Sequence, residues 1–299
     1  MSALTERQHT PSVLSSGWKK DRGGATRTRL SNALVHAILI FFVIAALGPV
    51  LLIIMNSFKN QLGIFSGPFM LPTAETFDLG GYVRALVRGD FLSYYANSLI
   101  VTVTSTALTV IFSAMAAFGI TEYKVRAASP LAGFFIIGIM LPTHLGTVIL
   151  LQMMVTWHLV NTPIALILVY TGISLPIGVI LMVTYFRSVP IELKEAARID
   201  GAGEWRTASI ALPLVRPGLA AVAAITMLPI WNDLWFPLIL SSAKGSQTVT
   251  LGVQQYVGQH MADWPALLAS LVLGAVPLVI LFTVFSKQFV TGLSQGYGK

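Results

Sequence analysis

Apolar residues run along this chain in long unbroken stretches separated by polar connections. Six stretches are of membrane-spanning length: roughly Leu34–Met55, Asn97–Ile120, Leu131–Met154, Pro163–Phe186, Val215–Leu240 and Pro265–Ser286. A helix needs about 20 apolar residues to cross the hydrocarbon of a bilayer. A spanning strand is roughly half as long and alternates polar with apolar positions, which these stretches do not. Lipid offers no hydrogen-bond partners, so spanning backbone must pair with itself, and runs of this kind do so as helices. The pattern predicts an all-α integral membrane protein with six transmembrane helices. It also predicts an organisation: a disordered basic tail over 1–32, a six-helix domain over 33–288 and a short C-terminal tail over 289–299. The first run is full length, unlike the apolar core of a cleaved leader, and is expected to stay in the membrane.

Composition agrees with this reading. The chain is 55% hydrophobic and 10% charged, against about 25% charge in a soluble globular chain. The net charge of +7 acquires a meaning once the charges are placed. If the connections alternate sides, one side receives 15 of the 19 Lys and Arg residues, and the other only Lys59, Arg84, Arg88 and Lys244. The positive-inside rule puts the basic side, and with it both termini, in the cytoplasm. The excess is therefore a topology signal and not a nucleic-acid footprint. There is no cysteine, which excludes disulfides and thiolate metal or redox chemistry. No HExxH metalloprotease pattern occurs, and no serine in a glycine turn accompanies a membrane histidine.

Inside the spans, Pro49, Pro142, Pro176, Pro229, Pro237 and Pro277 each remove a helical hydrogen bond. Membrane bundles tolerate this where neighbours or cavity water satisfy the freed carbonyl. Ser98, Thr102, Ser105, Thr109 and Ser113 recur at helical spacing in the second span. Small hydroxyl residues let membrane helices approach closely, so this stripe is expected to pack.

The connection from Arg187 to Pro213 has the marks of local structure. Ser188 suits a helix cap, Pro190 a first turn, and Glu192 the positive end of a helix. Ile191–Ile199 is expected to be a short helix with Glu192, Glu195 and Arg198 along one polar side. Asp200-Gly201-Ala202-Gly203 ends it, since glycine accepts the left-handed conformation of a helix stop. A second short helix over Glu204–Ile210 follows, and Leu212-Pro213 leads back to the membrane. Such a bracket is either an amphipathic connector or a docking element for a cytosolic partner.

Glu195-Ala196-Ala197-Arg198-Ile199-Asp200-Gly201-Ala202, with Ile210-Ala211-Leu212-Pro213 downstream, resembles the EAA loop that marks the membrane subunits of bacterial ABC importers. The surroundings resemble the carbohydrate branch, of the maltose-permease-like type. The matching pieces are Tyr95-Ala96-Asn97-Ser98-Leu99 entering the second span, Leu141-Pro142 in the third, Asn161-Thr162 before the fourth, Trp231-Asn232-Asp233 with Pro237 in the fifth, and Gly292-Leu293 in the tail. The resemblance covers about residues 34–299. It departs at one point: Gly201 to Pro213 is twelve steps where the family pattern has thirteen. One residue fewer turns whatever follows on a helix by about 100°, so the return helix is expected to be re-phased or shorter.

The resemblance implies the type I importer permease fold, as a multi-pass protein of the bacterial inner membrane. It implies that ATP and Mg bind to partner subunits and that this chain holds no cofactor or metal and catalyses no reaction. Two cytosolic ATP-binding subunits would grip the bracket, at Glu195, Ala196, Ala197, Asp200, Gly201 and Ala202. A second homologous permease would complete the pathway, and an extracytoplasmic solute-binding protein would deliver a mono- or oligosaccharide. Glycerol-phosphate-type solutes use similar permeases and remain an alternative. The sequence agrees independently in lacking a GxxxxGK[ST] phosphate loop. A secondary transporter, the other alternative, commonly has internal repeats and ionisable coupling residues in the membrane; here there is one deep acid and no evident repeat. That acid is Asp233, beside Asn232 and between Trp231 and Trp235. Aromatic rings stack on sugar faces, and carboxylates and amides bind hydroxyls. The group is either a pathway lining or an interfacial aromatic belt with a snorkelling acid. His144 and Gln152 in the third span are further pathway candidates, or else helix–helix hydrogen-bond partners. The outer loop 241–264, with Gln247, Gln254, Gln255, Gln259 and Trp264, is by resemblance the part that reaches the binding protein; its other reading is a solvated loop.

Overall fold

A computed structural model describes residues 22–88, 90–123, 128–243, 245–257 and 262–295. Among these the chain is helical without a strand, and extended backbone pairs only at two isolated bridges, Lys59 with Phe77 and Val257 with Ala262. It divides into two units, residues 1–51 and 52–299. The first carries most of α1 (Arg22–Ser57). By length and composition, three described helices can cross a membrane: Leu34–Ser57, Phe91–Glu122 and Pro163–Arg187. The number rises to five if each of two bent helix pairs is one span.

Four sequence expectations need correction. The helix α1 begins at Arg22 rather than near position 33: no proline interrupts 22–48, so the helix propagates from the apolar run back into the basic segment. The remainder of the expected tail, 1–21, lies outside the described residues. At the other end α13 (Trp264–Gln295) runs through most of the expected C-terminal tail, and 296–299 lie outside the description. The third span is broken. Its two halves, α5 (Ala128–Met140) and α6 (Thr147–Thr156), are joined by a single 3-10 turn, Thr143–Gly146, and bent by 88°. Pro142 lacks an N–H and disfavours helical backbone at Leu141, so the bend falls there. The fifth span is broken as well, into α10 (Arg216–Asn232) and α11 (Trp235–Leu240), with Asp233 extended at ψ 138.

Two helices form the frame of the second unit. The helix α4 (Phe91–Glu122) packs most extensively on α7 (Pro163–Arg187). The hydroxyl stripe is buried at Ser98, Thr102, Ser105, Thr109 and Ser113, and Ser113 faces α7 in this seam. Thr109 and Ser113 donate to the carbonyls of Ser105 and Thr109, one turn back. A Cβ on Gly178 of α7 would lie 3.0 Å from that of Ser113, so the approach depends on the glycine. Around the seam sit three buried clusters. One gathers Phe118, Phe186, Val189, Val215 and Val222. Another joins Val101, Leu166, Tyr170, Phe236 and Leu240. A smaller one holds Phe91, Tyr94, Trp231 and Val249.

At the end of the bundle away from residues 188–215, short elements tie the connections together. Asn161 (φ 64) donates its N–H to Leu240 O at 2.7 Å and accepts from Ala243 N–H at 2.9 Å. Asp263 accepts the N–H of Ala266, as an N-cap of α13 does, and takes Arg84 in a two-point pair at 2.6 and 2.9 Å. Asn97 donates to the carbonyls of Gly245 and Gln247, and Val249 N–H donates to Ser98 Oγ at 2.9 Å.

Candidate functional site

The expected bracket is present. Ile191–Ile199 forms α8 and Glu204–Ala211 forms α9. Pro190 occupies the N-cap position of α8, while Ser188 caps the other helix: it is the C-cap of α7 and its hydroxyl donates to Tyr185 O. Gly201 adopts φ +80 and turns the chain between the two helices. Within the turn Ala202 N–H donates to Ala197 O at 2.9 Å and Asp200 N–H to Ala196 O at 3.0 Å. A Cβ on Gly201 would meet nothing within 4 Å, so glycine is needed there for conformation and not for space. Beyond Ala211 the chain turns through Leu212–Val215, and α9 meets α10 at 78°.

The bracket has two faces. Ala197 is buried, while Glu192, Glu195, Ala196 and Asp200 are exposed. Among the described residues Glu195 makes no ion pair, so its carboxylate is open to a partner. One turn on from it along α8 stands Ile199, 85% exposed, while Trp205 of α9, 78% exposed, lines the cleft on the α4 side. A large apolar side chain so exposed one turn from a free carboxylate is the composition of a docking face.

On the opposite face lies an ion cluster that sequence reasoning missed. Glu122, the last residue of α4, places one carboxylate oxygen 2.7 Å from Lys194 Nζ and the other 2.7 Å from Arg198 Nη2. Arg198 also reaches Glu204 of α9 at 3.2 Å. The Glu122 and Lys194 side chains are only 4% and 8% exposed. Arg198 therefore serves this cluster, not Glu195 as the sequence spacing allowed. Two cations face two carboxylates, so the group is neutral as a whole. Removing one partner from a pair this buried costs about 3–5 kcal/mol. A signal was available in the sequence: Glu122 is the only carboxylate between Asp90 and Glu192.

The two broken spans meet each other. The His144 ring, in the turn between α5 and α6, lies 5.4 Å from that of Trp235 and 6.0 Å from that of Phe236. Trp235 Nε1 donates to Thr147 Oγ1 at 3.0 Å. Asp233 holds the fifth-span break: its carboxylate accepts from the Tyr170 hydroxyl at 2.7 Å and from the N–H groups of Phe236 at 3.0 Å and Trp235 at 3.3 Å. Its carbonyl accepts from Thr250 at 2.6 Å. Asn232 and Gln152 are exposed, as is His144. Trp231 is only 3% exposed and donates its indole N–H to Gly274 O of α13, so within this chain it is a packing residue. In the outer loop Gln247 and Gln255 bond each other, and Gln255 also accepts from Tyr94. Gln254 is exposed, the Trp264 ring packs edge-on to Phe65, and Gln259 lies outside the described residues. No group of three or more potential metal ligands occurs among the described residues.

Residues 109–295, which include the bracket, match the family described as the binding-protein-dependent transport system inner membrane component. The chain belongs to that family. This inner membrane component is 32% identical over 281 residues to the diacetylchitobiose uptake system permease protein NgcG of Streptomyces coelicolor, with 93% of this chain and 92% of the relative covered. It is 30% identical to the trehalose/maltose transport system permease protein MalG of Thermococcus litoralis, covering 86% of this chain and 93% of the relative. In fold it resembles a chain from the crystal structure of a bacterial ABC transporter involved in the import of alginate, with a TM-score of 0.77 and 21% identity over 87% of this chain and 97% of the other. The inner membrane component is thus a transport subunit of the ABC importer permease fold.

Proposed function

We propose that this inner membrane component is one of two permease subunits of an ATP-driven importer of oligosaccharides. It crosses the bacterial inner membrane six times with both termini in the cytoplasm, and catalyses no reaction itself. ATP and Mg bind to two cytosolic subunits docked on the bracket, and an extracytoplasmic protein delivers the sugar. The observation that carries this reading is the bracket: its motif residues Glu195, Ala196 and Asp200 stand exposed on α8 and its C-cap, which the turn at Gly201 fixes against α9. A rigid element of this kind transmits the closure of two ATPases to membrane helices, where a flexible loop would absorb it.

The choice of oligosaccharide draws on the names of the relatives, which are a diacetylchitobiose and a trehalose/maltose system, and on the meeting of the two broken spans. Irregular backbone at membrane depth is tolerated where it lines a cavity. There Trp235 and His144 offer ring faces, and Asn232 and Gln152 offer amides, along the route shared with the second permease. Asp233 holds the break open beneath them.

The test is uptake in cells carrying or lacking this chain. Loss of ATP-dependent uptake of one oligosaccharide class, restored by the intact chain, is the expected result. Loss of glycerol-phosphate uptake instead would assign the alternative solute, and uptake independent of ATP would assign a secondary transporter.

A further inference from the structure

Of the long helices, α1, α7, α10 and α13 each contain a proline, and the third span is broken outright. The helix α4 contains none and is unbroken over 32 residues. From Ser98 to Glu122 it covers about 36 Å at 1.5 Å per residue. Its two ends are tied to different parts of the molecule. At the bracket end Glu122 holds both Lys194 and Arg198 of α8 at 2.7 Å, and Arg198 passes the tie to Glu204 of α9. At the other end Asn97 donates to Gly245 and Gln247, Ser98 accepts from Val249, and the Tyr94 hydroxyl donates to Gln255. All four of those partners belong to the outer loop.

Packing joins α4 to the return helix only in part: Ala211 of α9 shares a buried cluster with Ala117 and Phe118 of α4. A cleft of about 540 Å³ opens between them, lined by Val110, Phe118, Trp205, Ala208 and Leu212. The ion cluster ties the two across that end, together with a hydrogen bond between Tyr123, just after α4, and Glu204. Its buried pair is short, and its four charges cancel, so the bracket cannot slide along α4 without exposing an unpaired charge in a nearly dry setting.

We propose that α4 is a lever joining the bracket to the outer loop, and that Glu122 is the positioning residue at its inner joint. Bracket movement driven by the ATPases then reaches Gly245–Gln255 along a rod that has no hinge. The proposal rests on the reading of the bracket as the ATPase dock.

The test uses the whole importer complex in lipid nanodiscs, with spin labels on cysteines at positions 69 and 254. Both sites are exposed at the outer end, and the chain has no cysteine of its own. Addition of the non-hydrolysable ATP analogue AMP-PNP is expected to shift the label distance by about 2 Å or more, the scale of helix shifts in switching proteins. Glu122→Gln is expected to abolish that shift while the ATPases still copurify, and Glu122→Asp, which keeps the charge facing Lys194 and Arg198, is expected to retain it. A shift that survives in Glu122→Gln overturns the proposal. So does a shift lost in both variants, which assigns Glu122 to folding alone. No shift in the unmodified complex would instead count against the ATPase-dock reading itself.

Discussion

Two carboxylates away from the bracket, Asp263 and Asp233, do structural work that can be separated from transport. Burial alone would raise the Asp263 carboxyl, but the Arg84 hydrogen bond, the Ala266 N–H and the Arg84 charge outweigh it and leave it below its ordinary value. A depressed carboxylate contributes stability that is full above its unfolded value of about 3.9 and is lost as pH falls through the lower folded value. Arg84→Met should therefore show a thermal deficit against the unmodified protein that is constant from neutral pH down to about pH 5 and shrinks below about pH 4. A deficit that persists unchanged to pH 3 would exclude the pair as its source. Asp233 allows a second separation. Asparagine caps helices about as well as aspartate, whereas alanine costs about 1 kcal/mol. Asp233→Ala should destabilise α11 by that amount. Asp233→Asn should keep the fold and still reduce uptake if the charge borders the pathway. Unchanged uptake in Asp233→Asn across substrate concentrations would leave Asp233 as a cap and nothing more.

At the scale of elements, what could be read from the sequence divides by range. The bracket is local: a glycine stop, flanking short amphipathic segments and a motif place α8, the turn and α9 within a residue or so of where they stand. The breaks are half local. Pro142 marks a kink, but not that the kink opens to 88°, because the bend is stabilised by Trp235 and Thr147 meeting across it from different spans. At the fifth-span break Pro237, four residues on, lacks the N–H that would bond the Asp233 carbonyl, but the tie of Asp233 to Tyr170 comes from 63 residues away in sequence. The Glu122 ties reach over 72 and 76 residues, beyond any periodicity. Because Gly201 is needed for its φ of +80 and not for space, residues should rank there by tolerance of left-handed backbone. Asparagine visits that region and a β-branched residue hardly does. Substrate-stimulated ATP hydrolysis by the reconstituted complex is expected to fall in the order glycine, Gly201→Asn, Gly201→Val. Equal rates in all three would show that the turn angle does not matter.

At the scale of the whole molecule, topology and coupling can each be tested. In the proposed topology the bracket and both termini face the cytoplasm, and the ends tied together by Arg84 and Asp263 face outward. In intact cells an impermeant thiol reagent should label a cysteine at exposed position 62 and spare one at exposed position 192; the reverse pattern would invert the orientation. The central claim is that the exposed face of the bracket is where ATP-derived force enters this chain. The measurement that bears on it most directly is ATP hydrolysis by the purified complex of this chain with its partner permease and ATPases, with and without the loaded binding protein, for the unmodified chain and for Glu195→Lys. Glu195 makes no ion pair among the described residues, so the substitution leaves the fold intact and alters only what the face offers a partner. The account predicts that Glu195→Lys inserts normally but loses stimulated hydrolysis, with the ATPases either released or running uncoupled from the binding protein. Normal stimulation in Glu195→Lys would contradict it and reduce the bracket to a connector.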